Sequence, residues 1–233
     1  MHSQTRWGSH RFSWGSLKET PEPPLLMVET GIGPQNAERA ARFAFDRFPL
    51  QEIWILGVAA GTQKGIVPGE AVIAAEVGNS DQAFEMWEKS SAPLREKAEN
   101  WLKSLKLPYR IGPILTVDRV VSDAADKATL GERHACLALE MEATPIAQAA
   151  AQRKIPWVQI RWIADGVEDP LPALEGFIDE RGGVRGGRAL KALVKNPSLL
   201  LELPPFLRGV RRGLSGLNCF LQKWHEDGRM GAS

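Results

Sequence analysis

The stretch from Leu139 to Asp169 leaves this chain the fewest choices of fold. Thr144 and Pro145 suit the cap and first turn of a helix, and Ile146, Ala147, Ala150 and Ala151 give it a small apolar face running to about Arg153. Ile155 to Ile163 is then a run of branched and aromatic residues, interrupted only by Gln159 and Arg161, which predicts a buried strand. Helix, short turn and strand make half of a βαβ unit. In open α/β sheets ligands bind beyond the carboxyl ends of the strands, which is where Asp165 falls, while Glu140 and Glu142 stand at the mouth of the helix.

The rest of the chain supplies more elements of the same kind. Leu25 to Glu29 predicts a buried strand that runs into Thr30-Gly31-Ile32-Gly33-Pro34, a turn whose glycines can serve tight geometry or a ligand. Gln35 to Phe48 predicts a helix, Ile53 to Ala60 a second buried strand, residues 92–105 an amphipathic helix, and Arg110 to Val121 a strand. Asp118 and Arg119 are expected as surface or turn residues, and Phe84, Met86 and Trp87 as local core. Before Leu25, Trp7, Phe12, Trp14 and Leu17 could line one short strand, followed by a Pro-rich turn at 21–24.

The motifs at the helix mouth and strand end carry a resemblance. Glu140-Met141-Glu142-Ala143 followed by Arg161-x-Ile163-x-Asp165 resembles the nucleoside phosphorylase and methylthioadenosine/adenosylhomocysteine nucleosidase superfamily. The resemblance spans roughly residues 25–169. It implies a three-layer α/β/α sandwich with a central mixed sheet. It also implies roles: Glu142 on the ribose hydroxyls, with Glu140 beside it, Met141 packed on the sugar, and Asp165 facing the purine N7 as general acid. Gly57-Val58-Ala59-Ala60-Gly61-Thr62 follows the family's sugar and base loop, which makes Ala59 and Gly61 substrate-binding positions. Arg161 either orients a site carboxylate or forms a core ion pair. Without the resemblance, Glu140 and Glu142 read as helix N-terminal carboxylates favoured by the macrodipole.

Two departures refine the expectation. Phosphorolytic relatives hold phosphate with an arginine and a serine or threonine at positions that here are Ile55 and Val58, which points to hydrolysis over phosphorolysis. Family members also open with a strand and a glutamate-bearing loop, and no counterpart precedes Leu25. Glu19 and Glu22 sit in the Pro-rich turn and match no motif. The expected reaction is therefore N-glycosidic cleavage of a 5′-substituted purine nucleoside, with a catalytically inactive nucleoside-binding or membrane-associated member as the alternative.

From Arg185 to Arg212 seven Lys or Arg face one acid, Glu202, interleaved with leucines and cut by Pro197, Pro204 and Pro205 into expected short helices. This divides the chain into a domain at 1–184 and a basic amphipathic tail at 185–233. The tail packs on its own domain, on a second subunit or on an anionic membrane surface. It resembles the hopanoid-associated branch of the superfamily, linked to adenosylhopane, a very apolar 5′-substituted adenosine. The resemblance further implies a homodimer.

Composition removes other classes. A formal net charge of +1 argues against a nucleic-acid footprint across the domain. Cys136 and Cys219 make no disulfide framework, and the four histidines have no metal-ligand spacing, so neither a metal nor another cofactor is expected. No run reaches the roughly eighteen apolar residues of a spanning helix, and no apolar leader follows the basic start. The expectation is a cytoplasmic protein, or one peripheral to the inner membrane through its tail.

Overall fold

The computed structural model describes residues 3–8, 10–15, 25–80, 86–169 and 199–230. Three strands at the amino end, β1 (Ser3–Trp7), β2 (His10–Gly15) and β3 (Leu25–Glu29), form an antiparallel sheet in the order β1-β2-β3. The aromatic residues expected in one strand thus lie in a hairpin. Gly8, at φ 59, adopts the left-handed backbone that most side chains resist, and so turns the chain between Trp7 and His10. Trp7 and Phe12 both pack on Phe43, with ring centroids 4.7 and 4.6 Å away. Leu17, Glu19 and Glu22 lie outside the described residues.

The remaining elements are α1 (Pro34–Arg47), β4 (Ile53–Gly61), β5 (Ala71–Asn79), β6 (Glu88–Lys89), α2 (Ala92–Ser104), β7 (Tyr109–Thr116), α3 (Ala124–Arg133), β8 (Ala138–Glu140), α4 (Ala143–Gln152), β9 (Trp157–Asp165) and α5 (Leu199–Met230). The strands form a mixed sheet ordered β6-β5-β7-β8-β4-β9, and β5 also pairs with β9, so the sheet closes on itself at that end. β4 and β9 are parallel, whereas β8 is antiparallel to β4.

Strand periodicity sorts the side chains into the three expected layers. Ile55 and Ala59 of β4, with Trp157 and Ile163 of β9, join Ala37 and Ala41 of α1 and Ile146, Ala147 and Ala150 of α4 in one apolar cluster. On the other face Trp54 and Leu56 of β4, with Val158, Ile160 and Trp162 of β9, join Leu94, Ala98 and Trp101 of α2 and Phe220 of α5.

Four expectations change. The strand at Leu25–Glu29 is not a buried one: Met27 is 56% exposed, because β3 lies in the outer sheet, where among the described residues it pairs with β2 alone. The strand expected to reach Val121 ends at Thr116, since Val117 N–H turns to bond Glu140 O. Met86 is exposed rather than core, while Trp87 is buried and Phe84 lies outside the described residues. Finally, α5 runs through Pro204 and Pro205 instead of breaking there. Each internal proline costs a helix about 3 kcal/mol. Both prolines are exposed, and the turns beyond them offset that cost by packing on the sheet. There Gly209 and Gly213 abut the backbone at Ala164 and Ile163, Gly216 abuts the Trp162 ring, and Phe220 is fully buried. Pro197 lies outside the described residues.

Candidate functional site

Three strand ends meet at one place. Ala60 on β4 pairs with Leu139 on β8 and with Asp165 on β9, so Glu140 and Asp165 lie on opposite sides of β4. Two strand spacings separate their backbones by roughly 10 Å.

Glu140 is 4% exposed and fully engaged. Its Oε1 accepts from Thr116 Oγ1 at 2.5 Å and from Ala143 N at 3.1 Å. Its Oε2 accepts from the N–H groups of Glu142 and Ala143, at 3.1 and 3.0 Å, and pairs with Arg161 Nη2. The carboxylate therefore satisfies the first backbone donors of α4, a task the sequence assigned to Thr144. Thr144 instead donates its hydroxyl to Thr116 Oγ1 at 2.8 Å. Glu140 thus sits behind Glu142 as an anchor, not beside it as an open sugar ligand.

Glu142 keeps 16% of its side chain exposed. Gly33 N–H donates to Oε1 and Arg161 Nη2 to Oε2, each at 3.1 Å. Burial holds its pKa above the ordinary carboxylate value, opposed by the charge of Arg161 and reinforced by that of Glu140. Met141 is half-buried next to it. Arg161 reaches both carboxylates by crossing β4 above Gly57, where a Cβ would fall into the guanidinium. Its Nε, buried, has no hydrogen-bond partner among the described residues.

On the far side of β4, Asp165 is 5% exposed, and its Oδ2 accepts from Lys127 Nζ at 2.9 Å. Lys127 has no exposed surface, and it also donates to Gly166 O at 2.8 Å and Asp169 O at 3.2 Å. Asp169 Oδ2 accepts from Gly166 N at 2.7 Å, so the 165–169 turn wraps the ammonium. Burial raises the pKa of Asp165, and the charge and hydrogen bond of Lys127 oppose that rise without cancelling it. Sequence reasoning missed Lys127. Its spacing of four from Gly131 puts both on the buried side of α3, but that spacing alone does not single out a lysine as buried.

Ala59 and Gly61, expected at the substrate, are both buried: Ala59 belongs to the apolar core, and Gly61 lies under Ile66. Neither lines the groove described next. Ile55 is 6% exposed in that same core, and Val58 faces Gly213 of α5. A groove of about 680 Å³ runs between β3 and β4 and ends at Glu142 and Arg161; Asp165 is not in its wall. Among the described residues, no group of three His, Cys, Asp or Glu side chains is placed to hold a metal ion.

A mixed sheet flanked by helices, with buried carboxylates at the ends of two strands on either side of a third, defines an α/β protein with a polar site at its strand ends. The chain belongs to the phosphorylase superfamily, whose family model matches residues 3–195. It is similar to the 5′-methylthioadenosine/S-adenosylhomocysteine nucleosidase of Exiguobacterium sp., at 29% identity over 73% of this chain and 80% of that one. The nucleosidase of the same description from Staphylococcus aureus is 25% identical over 79% of this chain and 86% of its own length. Among solved structures, the Neisseria meningitidis nucleosidase in complex with methylthio-immucillin-A superposes with a TM-score of 0.72 at 20% identity. That likeness covers 95% of this chain and 88% of that one.

Proposed function

We propose that this protein hydrolyses the N-glycosidic bond of a 5′-substituted purine nucleoside and releases the base. One observation carries the reading: a buried carboxyl of raised pKa, Asp165, lies across β4 from a second carboxylate, Glu142, that retains exposed surface. As the bond breaks, the sugar gains positive charge and the purine negative charge. Asp165 delivers a proton to N7 of the leaving base, a step worth about 10²–10⁴-fold in general acid catalysis. Glu142, held by Gly33 and Arg161, grips the ribose hydroxyls and favours the cationic sugar, with Met141 as its apolar neighbour. Relatives described as 5′-methylthioadenosine/S-adenosylhomocysteine nucleosidases support this substrate class.

Hydrolysis is favoured because Ile55 lies in the apolar core and Val58 faces Gly213, and neither apolar side chain gives phosphate a partner. The test is purine release from 5′-methylthioadenosine with and without phosphate. Free ribose product at an unchanged rate supports the reading, and a ribose 1-phosphate refutes it. Binding of the nucleoside without release would establish the inactive alternative.

The finer reading is an apolar 5′ substituent met at a membrane by one protomer of a homodimer. It is supported by α5, where Leu207, Leu214 and Leu221 are 58, 50 and 38% exposed and recur every seven residues. Arg208, Arg211 and Arg212 are exposed beside them. Such a face suits an anionic surface at about 1 kcal/mol per cation. Vesicle binding that is insensitive to salt would remove it.

A further inference from the structure

Gly33, whose N–H holds Glu142, ends a turn that lies between β3 and α1 and belongs to neither. Gly31 and Gly33, at φ 74 and 93, take the left-handed backbone that side chains resist, so the turn neither continues the strand nor begins the helix. Its shape is fixed through its carbonyls, each of which accepts a bond. Thr30 O accepts from His10 Nδ1 at 2.9 Å, and Gly31 O from Thr30 Oγ1 at 3.0 Å. Ile32 O accepts from Asn36 Nδ2 at 2.8 Å, and Gly33 O from Ala37 N at 3.1 Å. Ile32 O and Gly33 N–H are opposite ends of one planar peptide unit, so holding the carbonyl aims the N–H the other way, at Glu142.

Of these four donors, three sit on the turn itself or on α1 and move with it. His10 sits on β2. The pairing of β2 with β3 runs as far as Arg11 with Glu29, and the next pair in register would be His10 with Thr30. There the imidazole takes over from the ladder. A carbonyl only accepts, so Nδ1 carries the proton. His10 is 3% exposed, and its ring stacks on Trp7 with centroids 5.8 Å apart, while Trp7 packs in turn on Phe43 of α1. The donor is therefore held by the hairpin on one side and by α1 on the other.

We infer that His10 is a positioning residue for the polar site: its Nδ1–H anchors the Thr30–Gly33 turn to the amino-terminal hairpin, and the anchored turn keeps the Gly33 N–H on Glu142. The outer sheet thus acts on the site through a backbone amide, without placing a side chain in it. His10 touches neither carboxylate of the site, and its effect passes through Thr30, the turn and Gly33 in that order. The simpler role for a buried histidine is a packed ring, and the two roles part when ring and donor are removed separately. The effect on Glu142 follows from the turn alone, whereas an effect on nucleoside affinity rests on the ribose-binding role proposed above for Glu142.

The test compares, in the full chain, His10→Phe, which keeps a ring against Trp7 and removes the donor, with His10→Asn, whose Nδ2–H stands one bond from Cγ as Nδ1–H does. Hydrogen exchange of the Gly33 amide, read by NMR, is expected to quicken about fivefold in His10→Phe, the worth of one neutral hydrogen bond, and to stay within about twofold of wild type in His10→Asn. Burial holds Glu142 above the ordinary carboxylate value, and the Gly33 N–H is one of the groups that oppose it. Carbon-13 titration should therefore find Glu142 higher still in His10→Phe, with Arg161 and Glu140 in place beside it. The dissociation constant of 5′-methylthioadenosine, read by calorimetry, should rise about 3–10-fold in His10→Phe and recover in His10→Asn. A Gly33 amide that quickens in His10→Asn would make His10 a packed ring and overturn the inference, whether or not His10→Phe folds. So would a folded His10→Phe in which Gly33 exchange and the Glu142 titration are unchanged. Wild-type protein that binds no nucleoside, while Gly33 and Glu142 respond as expected, would uphold the inference and remove the ribose role of Glu142 instead.

Discussion

Lys127→Met should raise the pKa of Asp165 and carry the alkaline limb of the pH–rate profile up with it. Lys127 Nζ lies 2.9 Å from Asp165 Oδ2, and neither group has more than a trace of exposed surface. At an effective dielectric constant of about 20 the attraction at that distance is about 6 kcal/mol, most of it spent against desolvation of the pair. Measured carboxylates beside one cation are depressed by about 1–3 units, so loss of the cation should raise Asp165 by that amount, or about 1.4–4 kcal/mol. If Asp165 acts as a general acid, kcat/KM falls as it deprotonates, and the variant should hold its activity to a pH about 1–3 units higher. Stability follows with the opposite benefit. A carboxyl whose folded pKa is raised contributes stability that is full below its unfolded value, about 3.9, and lost as pH rises through the folded value. The variant should therefore be destabilised by about 3–5 kcal/mol at pH 8 and by less at pH 5, since the Gly166 and Asp169 carbonyls lose their donor at either pH. Purine release and urea denaturation across pH, with carbon-13 titration of Asp165, read both effects. An alkaline limb that stays in place while the variant remains folded would refute the assignment of Asp165 as the acid.

Asp165→Asn should abolish nearly all purine release and leave the far-ultraviolet circular dichroism unchanged; retained turnover would remove the leaving-group role. Glu142→Gln should raise KM for 5′-methylthioadenosine about 10–100-fold, the worth of a charge-assisted hydrogen bond, as read by initial rates. Gly57→Ala should cost about 1–3 kcal/mol in urea denaturation, because the guanidinium it meets is pinned by two carboxylates and has nowhere to swing. Cys136, buried and with its thiol pushed up to about 12, should resist iodoacetamide at pH 8 until the protein unfolds, as mass spectrometry of labelled peptides can report.

The α4–β9 unit was legible because its signals are local: Thr-Pro at the helix start, small apolar residues at helical spacing, then a β-branched run. The boundaries moved by about two residues, and Thr144 falls inside the first turn because the helix starts at Ala143, whose N–H is held by Glu140 on the preceding strand. Lys127 was not legible, because a lysine in a short amphipathic helix is ordinarily solvated. Only a contact with a residue 38 positions away turns it inward. Gly57 was readable as a loop glycine but not as the gap through which Arg161 crosses β4, since that depends on which strand lies beside β4. The run at Leu25–Glu29 has the composition of a core strand, and composition does not say which sheet a strand will join. Nor could the two prolines of α5 be weighed against the packing of Gly209, Gly213 and Phe220, which exists only once β9 is in place.

The two charge clusters are built differently, and the arrangement suits the reaction proposed. Arg161 faces two carboxylates, Glu140 and Glu142, so that cluster carries one net negative charge when both are ionised. Lys127 pairs with one, Asp165, and the carboxylate of Asp169 lies in the same turn and acts on Asp165, so that cluster is neutral while Asp165 holds its proton and gains a negative charge only when the proton is given up. β4 separates them and, at Gly57, contributes no side chain to screen either. A nucleoside bound with its sugar at Glu142 and its base at Asp165 would meet a negative field where the sugar becomes cationic. It would meet a proton donor backed by a cation where the purine becomes anionic. Fixed charges aimed at developing charge cost no reorganisation during the reaction, which is the usual source of the largest catalytic term. Arg161→Met tests the balance from the other side. Glu142, without the cation that opposes its rise, should rise further in pKa, so the variant should be folded near pH 5 and lose stability toward pH 8, together with its grip on ribose. A variant equally stable at both pH values would mean that Arg161 is not what opposes the rise of Glu142.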